Sequence, residues 1–168
     1  IISTMKLFMS FFFFLLMSCS QPINKTTAKS LTDSAICIFK NTNDELKALP
    51  VLNEALKIDS NYFPALSAKL SFEMATNQPD KAIHSATKLI HLKPAVSEFY
   101  TIIGLLYESK ADTIASKRYF TEAIIRCDQK LDTMKIHDRK YDLLLLNKAI
   151  NLVLNQHNEN GNDMMKAL

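Results

Sequence analysis

The chain has 168 residues, a formal net charge of +3 and only two glycines. The nearly balanced charge argues against nucleic acid as the main partner, because nucleic-acid-binding domains usually carry a marked basic surface. Two glycines leave no G-x-G-x-x-G or Walker loop, so nucleotide binding through a glycine-rich phosphate cradle is excluded. Apolar residues recur every three or four positions without strand-like alternation, which predicts an all-α protein.

The first predicted element is an apolar leader. Met5 and Lys6 are followed by the mostly apolar run 7–17 and then by Ser18, Cys19 and Ser20. A positive start, a short apolar run and a small-residue exit are typical of a secretory signal peptide. The run is shorter than the roughly 20 residues that a membrane-spanning helix needs. We therefore predict that residues 1–18 are a signal peptide.

The residues at the end of the leader, Leu16-Met17-Ser18-Cys19, resemble the lipobox of bacterial lipoproteins. The resemblance implies cleavage before Cys19, lipidation of its sulfur and acylation of its new amino group with a fatty acid such as palmitate. Ser20 after the cysteine, rather than an aspartate, implies by the same resemblance an outer-membrane protein facing the periplasm or the cell surface. The alternative is an ordinary signal peptide cut near Ser20. On the lipoprotein interpretation, residues 19–28 form a polar tether in the bacterial envelope.

The rest of the chain shows the apolar periodicity of helices, and a longer sequence pattern repeats along it as well. The stretches 53–62, 87–94 and 121–128 occupy the same register, one repeat apart. A repeat period of about 34 residues is typical of stacked helical hairpins. Helices are predicted at residues 30–41, 44–59, 64–76, 79–92, 96–110, 113–131 and 139–156.

The third unit, residues 97–130, carries the most regular pattern. Tyr100, Gly104, Tyr107, Phe120 and Ala123 stand at relative positions 4, 8, 11, 24 and 27. This pattern resembles the tetratricopeptide repeat, which has bulky residues at positions 4, 11 and 24 and small residues at 8, 20 and 27. The resemblance implies an α-α superhelix of about three and a half hairpins, with units 29–62, 63–96 and 97–130. The predicted core comprises Leu52, Ala55, Leu66, Ala82, Ala86, Leu89, Ile103, Gly104, Tyr107, Phe120 and Ala123.

A fourth, partial unit is predicted at about residues 139–168. Leu145, Ala149 and Leu152 fit positions 4, 8 and 11 only if several residues are inserted after Lys130. The alternative for the whole pattern is an ordinary helical bundle with coincidental spacing.

The resemblance also implies a binding groove lined by the first helix of each unit, chiefly by the residues at relative positions 2, 5, 6, 9, 12 and 13. The partner-binding residues predicted on this basis are Ser67, Ser71, Met74, Glu98, Thr101, Ile102, Leu105 and Glu108. The Lys, Asn and Arg residues with which chaperone-binding members hold a C-terminal carboxylate are absent from the matching positions. An extended peptide or an amphipathic helix is the expected ligand class.

Catalysis, a metal site and a cofactor are not predicted. His84 and His91 lie two turns apart on one helix, about 10.5 Å along its axis, which is too far to share a metal ion. Cys37 and Cys127 belong to the first and third units, and a whole hairpin between them argues against a disulfide. They are expected to be buried or half-buried free thiols.

The predicted function is a membrane-tethered scaffold that binds a peptide or helix of a protein partner, as a subunit of an envelope assembly. One alternative is a surface lipoprotein that captures a glycan or another nutrient. A further alternative is an enzyme, which the lack of a recognisable catalytic constellation disfavours. A repeat stack offers an extended surface for another molecule, which favours the scaffold.

Overall fold

The computed structural model describes residues 27–134 and 139–155, and within these ranges it contains helices and no strand. The seven described helices are α1 (Ala28–Thr42), α2 (Glu45–Ile58), α3 (Phe63–Ala75), α4 (Pro79–Leu92), α5 (Ser97–Ser109), α6 (Thr113–Leu131) and α7 (Arg139–Leu154). These bounds lie within two residues of those predicted from the sequence. The predicted all-α fold is confirmed for this part of the chain.

The helix starts follow the repeat period because the capping residues do. Helices α2, α4 and α6 begin one repeat apart, at Glu45, Pro79 and Thr113. Asp44 accepts hydrogen bonds from the second and third backbone N–H groups of α2, and the carboxylate of Asp112 accepts one from the third N–H group of α6. Such caps satisfy N–H groups that a helix start leaves without partners. At the start of α4, Pro79 needs no such partner.

The backbone of the turn inside each hairpin repeats as well. Asn43, Asn77 and Ala111 have φ angles of 51°, 52° and 60°, and they stand one repeat apart along the chain. This left-handed conformation lets the chain leave one helix and enter the next within two or three residues. Asparagine tolerates it better than most residues do, whereas alanine is an uncommon choice.

Consecutive helices pack on one another, and the first helices of neighbouring hairpins also meet, α1 with α3 and α5 with α7. The predicted core residues are buried, with one exception. Tyr107 is half-buried; its ring packs against the edge of the core and stacks on that of Tyr119 at a centroid distance of 5.5 Å. It therefore belongs to the rim of the core.

Helix α5 approaches α6 closely at Gly104. A Cβ atom built on Gly104 would lie 2.5 Å and 2.6 Å from two carbons of the Phe120 ring. The ring itself is fully buried, so it has no room to move away. Positions 8 and 24 of the third unit thus hold a glycine and a phenylalanine that fit each other.

In the second unit the residues at the same two positions have the opposite sizes, a large one on the first helix and a small one on the second. Leu70 stands where the third unit has Gly104, and Ala86 stands where it has Phe120. Both belong to one buried cluster, at 4% and 0% exposure. Swapping large and small partners conserves the volume between the two helices.

The second unit also buries a carboxylate, which the sequence pattern did not predict. Glu73 is 1% exposed, and its Oε2 accepts a hydrogen bond of 2.6 Å from the hydroxyl of Ser85. The ammonium of Lys69 lies 3.6 Å from its Oε1. Removing one partner of a buried charge leaves the other uncompensated, so this group ties α3 to α4.

The fourth unit departs from the period because α6 is longer than its equivalents. Helices α2 and α4 end one repeat apart, at Ile58 and Leu92, whereas α6 continues five residues beyond the next equivalent position to Leu131. Helix α7 then begins at Arg139, eight residues later than the period requires. It is held against α6 by an ion pair of Lys148 with Asp128 and by a hydrogen bond from Asn155 to Thr121.

We predict that Gly104→Ala lowers the free energy of unfolding, although alanine is normally the better helix former by about 0.5–1 kcal/mol. Overpacking against the Phe120 ring costs about 1–3 kcal/mol, which exceeds that gain. Urea unfolding should show the loss. In a Phe120→Leu background, where the ring is gone, the same substitution should be neutral or stabilising. Equal gains in stability in both backgrounds would contradict the close approach.

Candidate functional site

The first helices of the four units are α1, α3, α5 and α7; α1 contacts α3, α5 contacts α7, and the rings of Phe63 on α3 and Phe99 on α5 lie 6.1 Å apart. We call the side of the protein that these helices form the groove face. At its N-terminal end, α1 presents polar side chains. Its exposed residues at the predicted groove positions are Ser30, Asp33, Ser34, Cys37, Lys40 and Asn41. The face becomes apolar toward its other end, on α5 and α7.

A depression lies in the groove face between α5 and α7. It has a volume of about 270 Å³ and is lined by Glu98, Thr101, Ile102, Leu143, Leu146, Asn147 and Ile150. Three of its apolar side chains on α7 remain substantially exposed to solvent. Leu143 is 62% exposed, Leu146 39% and Ile150 40%. Large apolar side chains that cluster in a surface depression commonly mark a binding site.

A small polar network fixes the floor of this depression. The hydroxyl of Thr101 on α5 donates to Oδ1 of Asn151 on α7 at 3.0 Å. The amide of Asn151 donates in turn to Oδ1 and to the backbone oxygen of Asn147, at 2.7 Å and 2.8 Å. Asn151 is fully buried, so these bonds replace water and set the position of α7 against α5.

Two exposed carboxylates flank the apolar part of α5. Glu98 lines the depression and accepts a hydrogen bond of 3.3 Å from the Ser97 hydroxyl. Glu108 lies ten residues further along the same helix, about 15 Å along its axis. No ion pair among the described residues includes either of them. Ile102, half-buried, and Leu105, 41% exposed, lie between the two.

The structure brings only part of the predicted site together. Glu98, Thr101 and Ile102 line the depression, whereas the other predicted residues lie elsewhere on α3 and α5. Met74 is 40% exposed on α3. Ser71 donates its hydroxyl hydrogen bond to the backbone oxygen of Ser67, whose own buried hydroxyl has no partner among the described residues.

The α7 side of the depression was missing from the predicted site. A usable signal was present in the sequence, because the register proposed for Leu145, Ala149 and Leu152 places other residues at groove positions 2, 5, 6 and 9. Those residues are Leu143, Leu146, Asn147 and Ile150.

Few groups on the described part of the chain suit catalysis or metal binding. No cluster of three or more His, Cys, Asp or Glu side chains there could hold a metal ion. Neither His84 nor His91 belongs to such a cluster, while His137, His157 and Cys19 lie outside the described residues.

Burial raises the pKa of the Cys127 thiol, which disfavours the reactive thiolate. Cys37 is exposed, so the expected burial was wrong for it, and both thiols are free.

The described helices include none with the length and apolar character needed to cross a membrane.

No protein-family model and no curated protein matches the sequence. Solved structures do match the fold. A structure of MamA superposes with a TM-score of 0.59 at 24% identity, over 66% of this chain and 64% of that one. The type III secretion translocator chaperone SycD of Yersinia enterocolitica superposes with a TM-score of 0.57 at 12% identity, over 77% of this chain and 88% of that one. A tetratricopeptide repeat protein of Parabacteroides merdae superposes with a TM-score of 0.52 at 15% identity, over 88% of this chain and 66% of that one. The chain thus has the tetratricopeptide-repeat fold that its sequence resembles.

We predict that Thr101→Val loosens α7 and lowers the free energy of unfolding by about 1–3 kcal/mol, because the buried Oδ1 of Asn151 loses its donor. Valine has nearly the same shape as threonine. Thr121→Val is the matched control, because Thr121 also bonds an asparagine, Asn155 directly after α7, but at an exposed site. At that site water can replace the threonine hydroxyl, so the free energy of unfolding should change by no more than about 0.5 kcal/mol. Equal effects of the two substitutions in urea unfolding would refute the role of the network.

Proposed function

We propose that this chain is a scaffold that holds a segment of a partner protein in the groove face, next to a bacterial membrane. The observation that carries the proposal is the apolar depression between α5 and α7. Leu143, Leu146 and Ile150 remain 62%, 39% and 40% exposed there, so each lacks a corresponding share of the about 1.5–3 kcal/mol that full burial of such a side chain contributes. A partner segment seated between the two helices would provide that burial.

The fold supports an interaction role over catalysis. Stacked helical hairpins present an extended surface, and their stability depends on contacts between neighbours and not on a bound cofactor. One protein of the same fold, SycD, is a translocator chaperone. The lining of the depression supplies one carboxyl group, a hydroxyl and an amide, with no pairing of a nucleophile and a base. We therefore assign it binding and no chemical step.

The lining also favours protein over glycan as the ligand. Sugar-binding sites commonly offer aromatic faces on which the rings stack. The residues that line the depression include no aromatic side chain. Among the described aromatic residues, Tyr100, Phe72 and Phe120 are buried in the core, and Tyr107 stacks on Tyr119.

The membrane tether is the second part of the proposal and rests on the sequence. Lipidated Cys19 would anchor the chain, because each buried methylene contributes about 0.8 kcal/mol and several acyl chains hold firmly. Helix α1 begins at Ala28, nine residues after Cys19. At about 3.3–3.6 Å per residue, the start of α1 would lie within about 32 Å of the lipid. This arrangement suits a subunit of an assembly in the outer membrane, facing the periplasm or the cell surface.

We predict that Leu143→Asp abolishes capture of a protein partner from membrane extract, since it places a charge in the apolar depression. Ile114→Asp is the matched control: Ile114 is 87% exposed, outside the depression, and near the start of α6 as Leu143 is near the start of α7. The control should capture the same protein as the wild type. Circular dichroism should show equal helicity for the wild type and the two variants. Capture that is unchanged in Leu143→Asp, or lost equally in both variants, would count against the groove.

We predict that palmitate labels the wild-type chain in growing bacteria and does not label Cys19→Ala. The variant should also move from the membrane fraction to the soluble fraction, because its anchor is gone. Equal labelling of both proteins, or recovery of the wild type as a soluble species, would refute the proposed tether and leave the proposed role of the groove face unaffected.

A further inference from the structure

We infer that the segment held between α5 and α7 is an amphipathic helix of the partner, with a basic residue at each end of its apolar stripe. The inference rests on the proposed function and goes beyond it by giving the ligand a conformation and a charge pattern. Its two parts come from different observations: the polar groups of the depression and the carboxylates of α5.

The hydrogen-bonding groups of the depression are largely engaged within the protein. The Thr101 hydroxyl is bonded to Asn151, and the side-chain oxygen of Asn147 accepts from the Asn151 amide. An extended peptide exposes unpaired backbone N–H and C=O groups, and each would need a partner when buried. A helix satisfies these groups internally and can present only apolar side chains. The mainly apolar lining therefore suits a helix better than a strand.

The charge pattern follows from Glu98 and Glu108. Both are exposed on α5, and neither forms an ion pair among the described residues. Their separation of about 15 Å along the axis matches three turns of a bound helix, or about eleven residues. Lysine or arginine at those two positions would meet both carboxylates. Leucine or isoleucine residues between them would contact Ile102 and the α7 side chains.

Residues 1–28 and 156–168 of the chain do not fit this pattern. Residues 156–168 contain one lysine, Lys166, together with two acidic residues. The leader and tether contain Lys6 and Lys25, which are nineteen residues apart, or about 28 Å as a helix. Neither segment places two positive charges three turns apart.

The test uses the full-length protein in nanodiscs of neutral phosphatidylcholine and three fluorescein-labelled helical peptides. The peptides share one leucine stripe and differ only in two positions eleven residues apart, which are Lys, Gln or Glu. We expect the Lys peptide to bind about tenfold more tightly than the Glu peptide at about 50 mM salt. The difference should shrink at about 500 mM salt, where exposed charges are screened.

Variants of the protein assign the effect to the two carboxylates. Glu98→Gln with Glu108→Gln should reduce the preference for Lys to less than about threefold. Glu54→Gln with Asp132→Asn removes the same charge from exposed residues on α2 and after α6 and should leave the preference intact. Leu143→Asp should weaken all three peptides.

Three results would overturn the inference. Equal binding of the three peptides, weakened by Leu143→Asp, would reject the basic pattern and leave the groove function standing. A Lys preference that survives Glu98→Gln with Glu108→Gln would reject the assigned carboxylates. If no peptide binds and sedimentation shows a dimer that Leu143→Asp disrupts, a second copy of the chain occupies the depression, and both this inference and the proposed function fail.

Discussion

The close approach of the two helices within each hairpin is the constraint on which the rest of the structure depends. In the third unit the approach requires a glycine, because Gly104 leaves the space that the Phe120 ring fills. In the second unit Leu70 and Ala86 fill the equivalent space with their sizes exchanged. A tightly packed interior tolerates such an exchange only when the summed volume is kept. The hairpins consequently keep one shape and can stack in one direction.

Stacking in one direction gives the groove face its form. Because each hairpin repeats its predecessor, the first helices come to lie side by side and their outward residues share a surface. The fourth unit changes the last step of this series. Helix α6 runs on to Leu131, α7 begins late, and the buried contact of Thr101 with Asn151 then joins α5 to α7. The depression forms at this junction, where the apolar side of α7 has no described helix over it.

Much of the fold could be predicted from the sequence because the repeat period constrains many residues at once. Helix starts, turn residues and most of the core follow from it, as Asp44, Asp112 and Phe120 illustrate. Features that depend on particular neighbours could not be predicted in this way. Tyr107 is half-buried and stacks on Tyr119, and Glu73 is buried where Ser85 and Lys69 provide partners. The depression was only half predicted, since the insertion before α7 hid its register, and the proposed anchor at Cys19 lies outside the described residues.

Crosslinking in living cells would test the groove face most directly. A photoreactive phenylalanine analogue placed at position 146 of the full chain, inside the depression, would be compared with one at position 114, outside it. If a partner protein occupies the depression, light produces an adduct with one other protein from position 146 and none from position 114. The same adducts from both positions, or adducts only between copies of this chain, would contradict the proposed role of the groove face.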